Sequence, residues 1–164
     1  MKKNIILVLF AIASIIFSNA DCEAARNRDK QEISGAKLYG LGEANISPRG
    51  KLAKVLNLGS EYTELQREDM LNELKDTVIA WRLPVYEIKR NGGNDDFIIV
   101  TMGDSDLVGC VIYLEVFNDK QRNYVHSLKT GSPIEIKGMI TGEMSFRHLV
   151  IKPAILIGKA GDLK

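Results

Sequence analysis

The chain has 164 residues, with 22 Lys and Arg against 21 Asp and Glu for a formal net charge of +1, and 45% of it is hydrophobic. That is enough apolar material for one domain with a modest core, and the near-zero balance argues against a life on phosphate backbones, where each contact consumes a Lys or Arg. Two cysteines and two histidines, scattered singly, make no metal-ligand spacing, so neither a metal nor another cofactor is expected.

Residues 1–20 read as a signal peptide. Met1-Lys2-Lys3-Asn4 is a basic start, Ile5 to Phe17 is an apolar run too short to span a bilayer, and Ser18-Asn19-Ala20 places small residues where a signal peptidase cuts. The expected product is periplasmic or secreted, begins near Asp21 and has no integral membrane span. Loss of Lys2 and Lys3 leaves 20 basic against 21 acidic residues, about −1. An oxidising compartment leaves open a disulfide between Cys22 and Cys110. Against it, Cys22 sits in a polar tail and Cys110 in an apolar strand where buried free thiols are common.

Residues 21–59 are polar and punctuated by Gly35, Gly40, Gly42 and Gly50, which predicts a loosely structured arm. Ser47-Pro48 is a start signal for a short helix through Leu52 to Leu56. The folded domain is expected over residues 60–158, with 159–164 as a tail. Thr63-Glu64-Leu65-Gln66 has the form of a capping box. The helix after it gathers Met70, Leu71 and Leu74 on one patch and leaves Leu65 off it.

At Thr77 the hydrophobic period changes from about 3.6 to 2. Ile79, Trp81, Leu83 and Val85 alternate with Ala80, Arg82 and Pro84, and then Tyr86 and Ile88 take the opposite parity. A strand whose buried side switches at a proline suits a long strand bending across two sheets. Asn91-Gly92-Gly93-Asn94 is a hairpin turn signal. Phe97 to Met102 and Leu107 to Val116 read as strands, joined through Gly103-Asp104-Ser105. Asn118 to Gln121 caps a second helix with a stripe of Tyr124, Val125 and Leu128, and Gly131 is placed to end it. Ile134, Ile136 and Ile140 mark a fourth strand. After a turn over 142–146, Leu149, Ile151 and Ile155 mark a fifth, whose Pro153 predicts an edge.

Three strands, a helix and two strands, preceded by a helix, is the order of the OB-fold, a mainly β, five-stranded barrel. The leading helix would cover an open end of the barrel, with Trp81 supplying buried area where the two meet.

Several runs carry a family resemblance over about residues 63–157: TELQRE, then VIAW in the first strand, VGCVIYLE, LKTGSPIEIKGMITG and a final HLVIKPAIL. The most telling are Leu128-Lys129 with Gly131 before a strand, Lys137-Gly138 within it, and Trp81 early in the first strand. In these the chain resembles the secreted OB-fold proteins grouped as tRNA-anti-like, bacterial exported proteins of uncharacterised function. Arg82-Leu83-Pro84 departs from the pattern, since a small residue such as glycine usually follows the tryptophan. The resemblance implies a fold and no catalytic signature.

His126 and His148 have no nucleophile and orienting acid at recognisable spacing, and Ser127, Ser132 and Ser145 stand in no nucleophile elbow. No enzymatic activity is expected. The Asp95-Asp96 and Asp104-Ser105-Asp106 groups lack the ligand alternation of a calcium loop and read as turn chemistry. OB-folds bind across strands two and three, flanked by the first hairpin loop and the loop between strands four and five. That geometry nominates Arg90, Asn91, Asn94, Tyr113, Phe146 and Arg147 as the candidate binding residues. The expected function is a non-catalytic binding module for a protein or cell-envelope partner such as a glycan. The alternative is single-stranded nucleic acid, with Phe97, Tyr113 and Phe146 stacking bases and Lys89, Arg90, Arg147 and Lys152 tracking phosphates. The acidic residues in the same loops oppose it.

Overall fold

A computed structural model describes residues 34–57, 59–92, 96–145 and 147–158. The leader, Cys22, Asn94, Phe146 and the 159–164 tail lie outside the described residues. The elements are α1 (Gly35–Leu38), α2 (Lys51–Leu56), α3 (Glu64–Leu74), β1 (Val78–Arg90), β2 (Phe97–Thr101), β3 (Cys110–Glu115), α4 (Asp119–Ser127), β4 (Pro133–Ser145) and β5 (His148–Leu156). The five strands form one closed barrel in the order β1-β2-β3-β5-β4. Only the β3–β5 pairing is parallel. This is the OB-fold, with α4 in its expected place between the third and fourth strands.

The bend in β1 closes the barrel. Val78 to Pro84 pair with β4, and Val85 to Arg90 pair with β2, with a register shift between Val85 and Glu87. Pro84 therefore sits where the strand changes partners. The shift also corrects the expected position of Tyr86. It is the extra residue of the bulge and is 50% exposed, while Ile88, across from Ile99, returns to the core side. Pro153, expected at an edge, lies inside the closed barrel between β3 and β4. It is tolerated because both neighbouring registers skip there, from Ile151 to Ala154, so no ladder bond needs its missing N–H.

Ile79, Trp81, Leu83, Ile99, Ile112, Leu114, Ile134, Ile136, Ile140, Leu149 and Ile151 fill the interior. The two helices close on it as the caps dictate. Thr63 Oγ1 accepts from the Gln66 amide while Gln66 Oε1 accepts from the Thr63 amide at 2.9 Å, so α3 opens on a complete capping box. Its Leu71 and Leu74 join the main core and Leu65 stays 66% exposed. Asn118 Oδ1 accepts from the Gln121 amide at 2.9 Å and starts α4, whose Val125 is buried. Gly131 does not end that helix, which stops at Ser127. At φ +85 it forms the turn into β4, and its amide donates to the Val85 carbonyl at 2.7 Å.

The arm differs most from expectation. Over 34–57 it is held to the barrel at several places. The Gly35 amide donates to Glu115 Oε2 at 2.8 Å, the Ala44 amide to the Val78 carbonyl at 2.8 Å, and Trp81 Nε1 to the Ile46 carbonyl at 2.7 Å. Lys137, whose side chain is 8% exposed, donates from Nζ to the Leu41 carbonyl at 2.6 Å and pairs with Glu43 at 3.1 Å. Leu38 from α1 packs with Val78, Met139 and Ile155 on the outside of the barrel, a second apolar cluster separate from the interior. Further on, Leu52, Val55 and Leu56 of α2 join the main core. That helix is capped by Gly50 at φ +69 rather than by Ser47.

Candidate functional site

The barrel's outer wall has two unequal halves. On the side of early β1, β4 and late β5, α1 and its apolar cluster cover the strands. On the side of late β1, β2 and β3, the outward residues Ile98, Val100, Val111 and Tyr113 are partly exposed, while Val150 of early β5 is 7% exposed.

Register assigns the outward side chains of this open face. Ile99 and Ile112 pair and are buried, so their neighbours point outward: Ile98 across from Tyr113 and Val100 across from Val111. On one flank Lys89 pairs with Ile98 and Glu87 with Val100. On the other, Val150 pairs with Val111, and Lys152 places its ammonium 5.7 Å from the centroid of the Tyr113 ring. Two rows result, running across the strands: Lys89, Ile98, Tyr113, Lys152, and beside it Glu87, Val100, Val111, Val150. Met102, 58% exposed, follows Val100 just past the end of β2. The face is thus an apolar strip two residues deep with a lysine at each end of one row. Lys89 also pairs with Glu87 at 3.0 Å, both about half exposed.

The nominated residues fall around this strip. Tyr113 is at its centre. Arg90 and Asn91 stand at one end, where the Asn91 amide donates to the Asp96 carbonyl at 3.0 Å and closes the first hairpin loop. Arg147 stands beyond the other end, in the β4–β5 turn with φ +65. Asn94 and Phe146 belong to the same two loops and lie outside the described residues. Phe97, expected to stack on a base, is instead buried, with the exposed His126 edge-on to it at 5.3 Å. Ile98, Val100, Val111 and Met102 were not nominated. The signal for them is parity relative to Ile99 and Ile112, which is readable only once the inward residues are known.

Two clefts flank Arg147. One, of about 390 Å³, lies between α3 and the β4–β5 turn, with Leu56, Leu71 and Met144 as apolar lining and Glu64, Arg67 and Glu68 beside them. The other, of about 320 Å³, is lined by Asn57, Gly103, Asp104, Ser105, Gly109 and His148. Here Asp104 acts as turn chemistry. Its Oδ1 accepts from the Asp106 and Leu107 amides at 2.8 Å each, and those two donors hold the carboxyl below its ordinary value of 3.8. Asn57 Nδ2 donates to the Asp104 carbonyl, and Arg49 pairs with Asp106 at 3.0 Å, tying this loop to the arm. Cys110 is a buried free thiol, pushed up to about 12 by burial. No group of His, Cys, Asp and Glu among the described residues could hold a metal ion.

No protein-family model matches this sequence, and no curated protein does. Among solved structures, it is similar to a chain from Leishmania major Friedlin described as an aspartyl-tRNA synthetase, at 14% identity and a TM-score of 0.38 over 61% of this chain and 22% of that one. It is similar too to the aspartyl-tRNA synthetase from Entamoeba histolytica, at 10% identity and a TM-score of 0.37 over 72% of this chain and 24% of that one. The chain spans less than a quarter of the length of either. Its assignment as an OB-fold rests on its own strand order.

Proposed function

We propose that this chain is an exported, non-catalytic OB-fold binding module that engages a protein or cell-envelope partner through the outer face of β2 and β3. The observation that carries the reading is the strip of partly exposed apolar residues Ile98, Val100, Val111 and Tyr113, where the opposite wall of the same barrel buries its apolar residues under α1. Apolar surface left open on a fold that covers its other face marks a place where something docks. A non-catalytic role fits the histidines: His126 is spent on an aromatic edge contact, and the acid lining the cleft with His148 is committed to turn amides. Export rests on the leader-like residues 1–20.

A second reading, single-stranded nucleic acid, is favoured by one observation: an aromatic ring and two lysines share a row. Against it, three of the four strip residues are aliphatic and offer no stacking platform, and the Lys152 ammonium lies over the Tyr113 ring where a base would stack.

The test is affinity capture from envelope extract with the purified chain and with Val100→Asp, each with and without a single-stranded oligonucleotide as competitor. Capture of one partner, indifferent to oligonucleotide and abolished by Val100→Asp, is the expected result. Capture that survives the substitution defeats the assignment of the face, and capture lost to oligonucleotide with steep salt dependence establishes the second reading.

A further inference from the structure

Apart from the outer face of β2 and β3, we infer that the cleft between α3 and the β4–β5 turn is a small-molecule site, and that it takes a short apolar peptide with both ends free, a dipeptide of the Leu-Leu kind. The cleft holds about 390 Å³, within the range of small-ligand pockets. Its floor is Leu56, Leu71 and Met144. The first two are buried in the main core, and Met144 packs against it. Around that floor stand four charged residues, Glu64, Arg67 and Glu68 from α3 and Arg147 from the turn. Among the described residues, none of the four side chains is in an ion pair or a hydrogen bond.

Arg147 stands there against local preference. The register pairs Ser145 with His148, so residues 146 and 147 make a two-residue hairpin turn. Turns of that length favour asparagine and glycine because they need positive φ. Arg147 has φ +65, where a Cβ crowds the following carbonyl and glycine has none to crowd it. Departures of this kind gather at functional sites, where a side chain is kept for something other than the fold. Here the side chain makes no ion pair among the described residues and lines the cleft.

The charges and the floor together select the ligand. Two carboxylates and two guanidiniums disfavour a simple anion or cation, since either would meet two like charges. They accept a molecule that carries one charge of each sign. Glu64 and Glu68, four apart on one side of α3, suit an ammonium, and Arg147 with Arg67 suits a carboxylate. A volume of 390 Å³ is about 7 Å across, and two extended residues span about 7 Å. A free dipeptide therefore sets its two ends against opposite charges while its side chains cover Leu56, Leu71 and Met144.

The probe is Leu-Leu, titrated into the isotope-labelled chain and followed by amide NMR, beside N-acetyl-Leu-Leu, Leu-Leu amide and Gly-Gly. The expected result is saturable movement of the Glu68, Leu71 and Met144 amides with Leu-Leu, about two- to fivefold weaker binding when either end is capped, and none with Gly-Gly. Arg147→Gly should weaken Leu-Leu by a similar factor while raising Tm by about 2–5 °C, because it relieves the turn. Glu68→Gln should weaken it with Tm unchanged. Equal binding of the capped peptides, shifts confined to the β2–β3 face, or no binding of Leu-Leu overturns the inference. So does an Arg147→Gly protein less stable than its parent, which would make Arg147 a support of the turn rather than part of a site.

Discussion

Gly138 is the tightest point of the barrel, and Gly138→Ala measures how tight. The residue lies in β4 between Ile79 of β1 and Ala154 of β5. A Cβ added there would stand 2.4 Å from Ile151 Cγ2, 3.1 Å from Ala154 Cβ and 3.2 Å from the Pro153 carbonyl oxygen. Carbon atoms pack at about 3.5–4.0 Å, so the overlap with Ile151 exceeds 1 Å. Ile151 is fully buried and its Cγ2 is attached directly to Cβ, so it can retreat only by leaving its χ1 rotamer inside a packed core or by moving β5. Overpacking of this kind costs about 2–3 kcal/mol, which at roughly 3–5 °C per kcal/mol for a domain of this size lowers Tm by roughly 6–15 °C. The assay is urea denaturation of Gly138→Ala, Ile151→Ala and the double variant. Ile151→Ala removes the clashing methyl, so the double variant should be more stable than the two single losses predict, by at least about 1 kcal/mol. Additive losses, or a Gly138→Ala protein within about 0.5 kcal/mol of the parent, would refute the argument from close approach.

Trp81→Phe keeps most of the buried ring but removes the donor to the Ile46 carbonyl. It should cost about 1–2 kcal/mol and speed hydrogen exchange in residues 44–50 before it affects the strands. Asp104 has a depressed folded pKa, so its contribution to the 103–109 loop is complete above about pH 4 and is lost as pH falls through the lower folded value. The Asp106 and Leu107 amide resonances should shift in that acid window and stay still between pH 5 and 8. In a Cys22→Ser background, Cys110 should resist a thiol reagent at pH 8 and react only in denaturant, because burial keeps the thiol protonated and covered; rapid native labelling would contradict its place in the core.

Where the sequence anticipated the structure, one local rule was enough. The capping box at Thr63 and the cap at Asn118 each need only a few neighbouring residues and stand as expected, and the parity switch in β1 is there too, but at the bulged residue Tyr86 rather than at Pro84. The arm could not be anticipated this way. Leu38, Leu52, Val55 and Leu56 have no period within their own segment, and their burial depends on strands far along the chain. Pro153 misled because an edge is one way to spare a missing N–H and a double register skip is another, and the skip belongs to the neighbours. The site was half visible for a similar reason. Tyr113 was nominated from the usual binding surface of an OB-fold, across its second and third strands. Ile98 and Val100 sit in a run apolar on both parities, Phe97 to Val100, which does not say which side is in.

The ties between arm and barrel also set an order of events. The bond from Gly35 to Glu115 spans 80 residues, and that from Lys137 to Leu41 spans 96. The residues of the arm are made early, yet the surface they settle on is assembled from β4 and β5, which are made last. Until β5 arrives, β3 and β4 each lack a partner, the ring of strands is open and α1 has no seat. Such a chain stays unfolded through most of its synthesis and then gains its strands and its strap together. A truncation at Ser145 would therefore lose the whole structure rather than one strand of it.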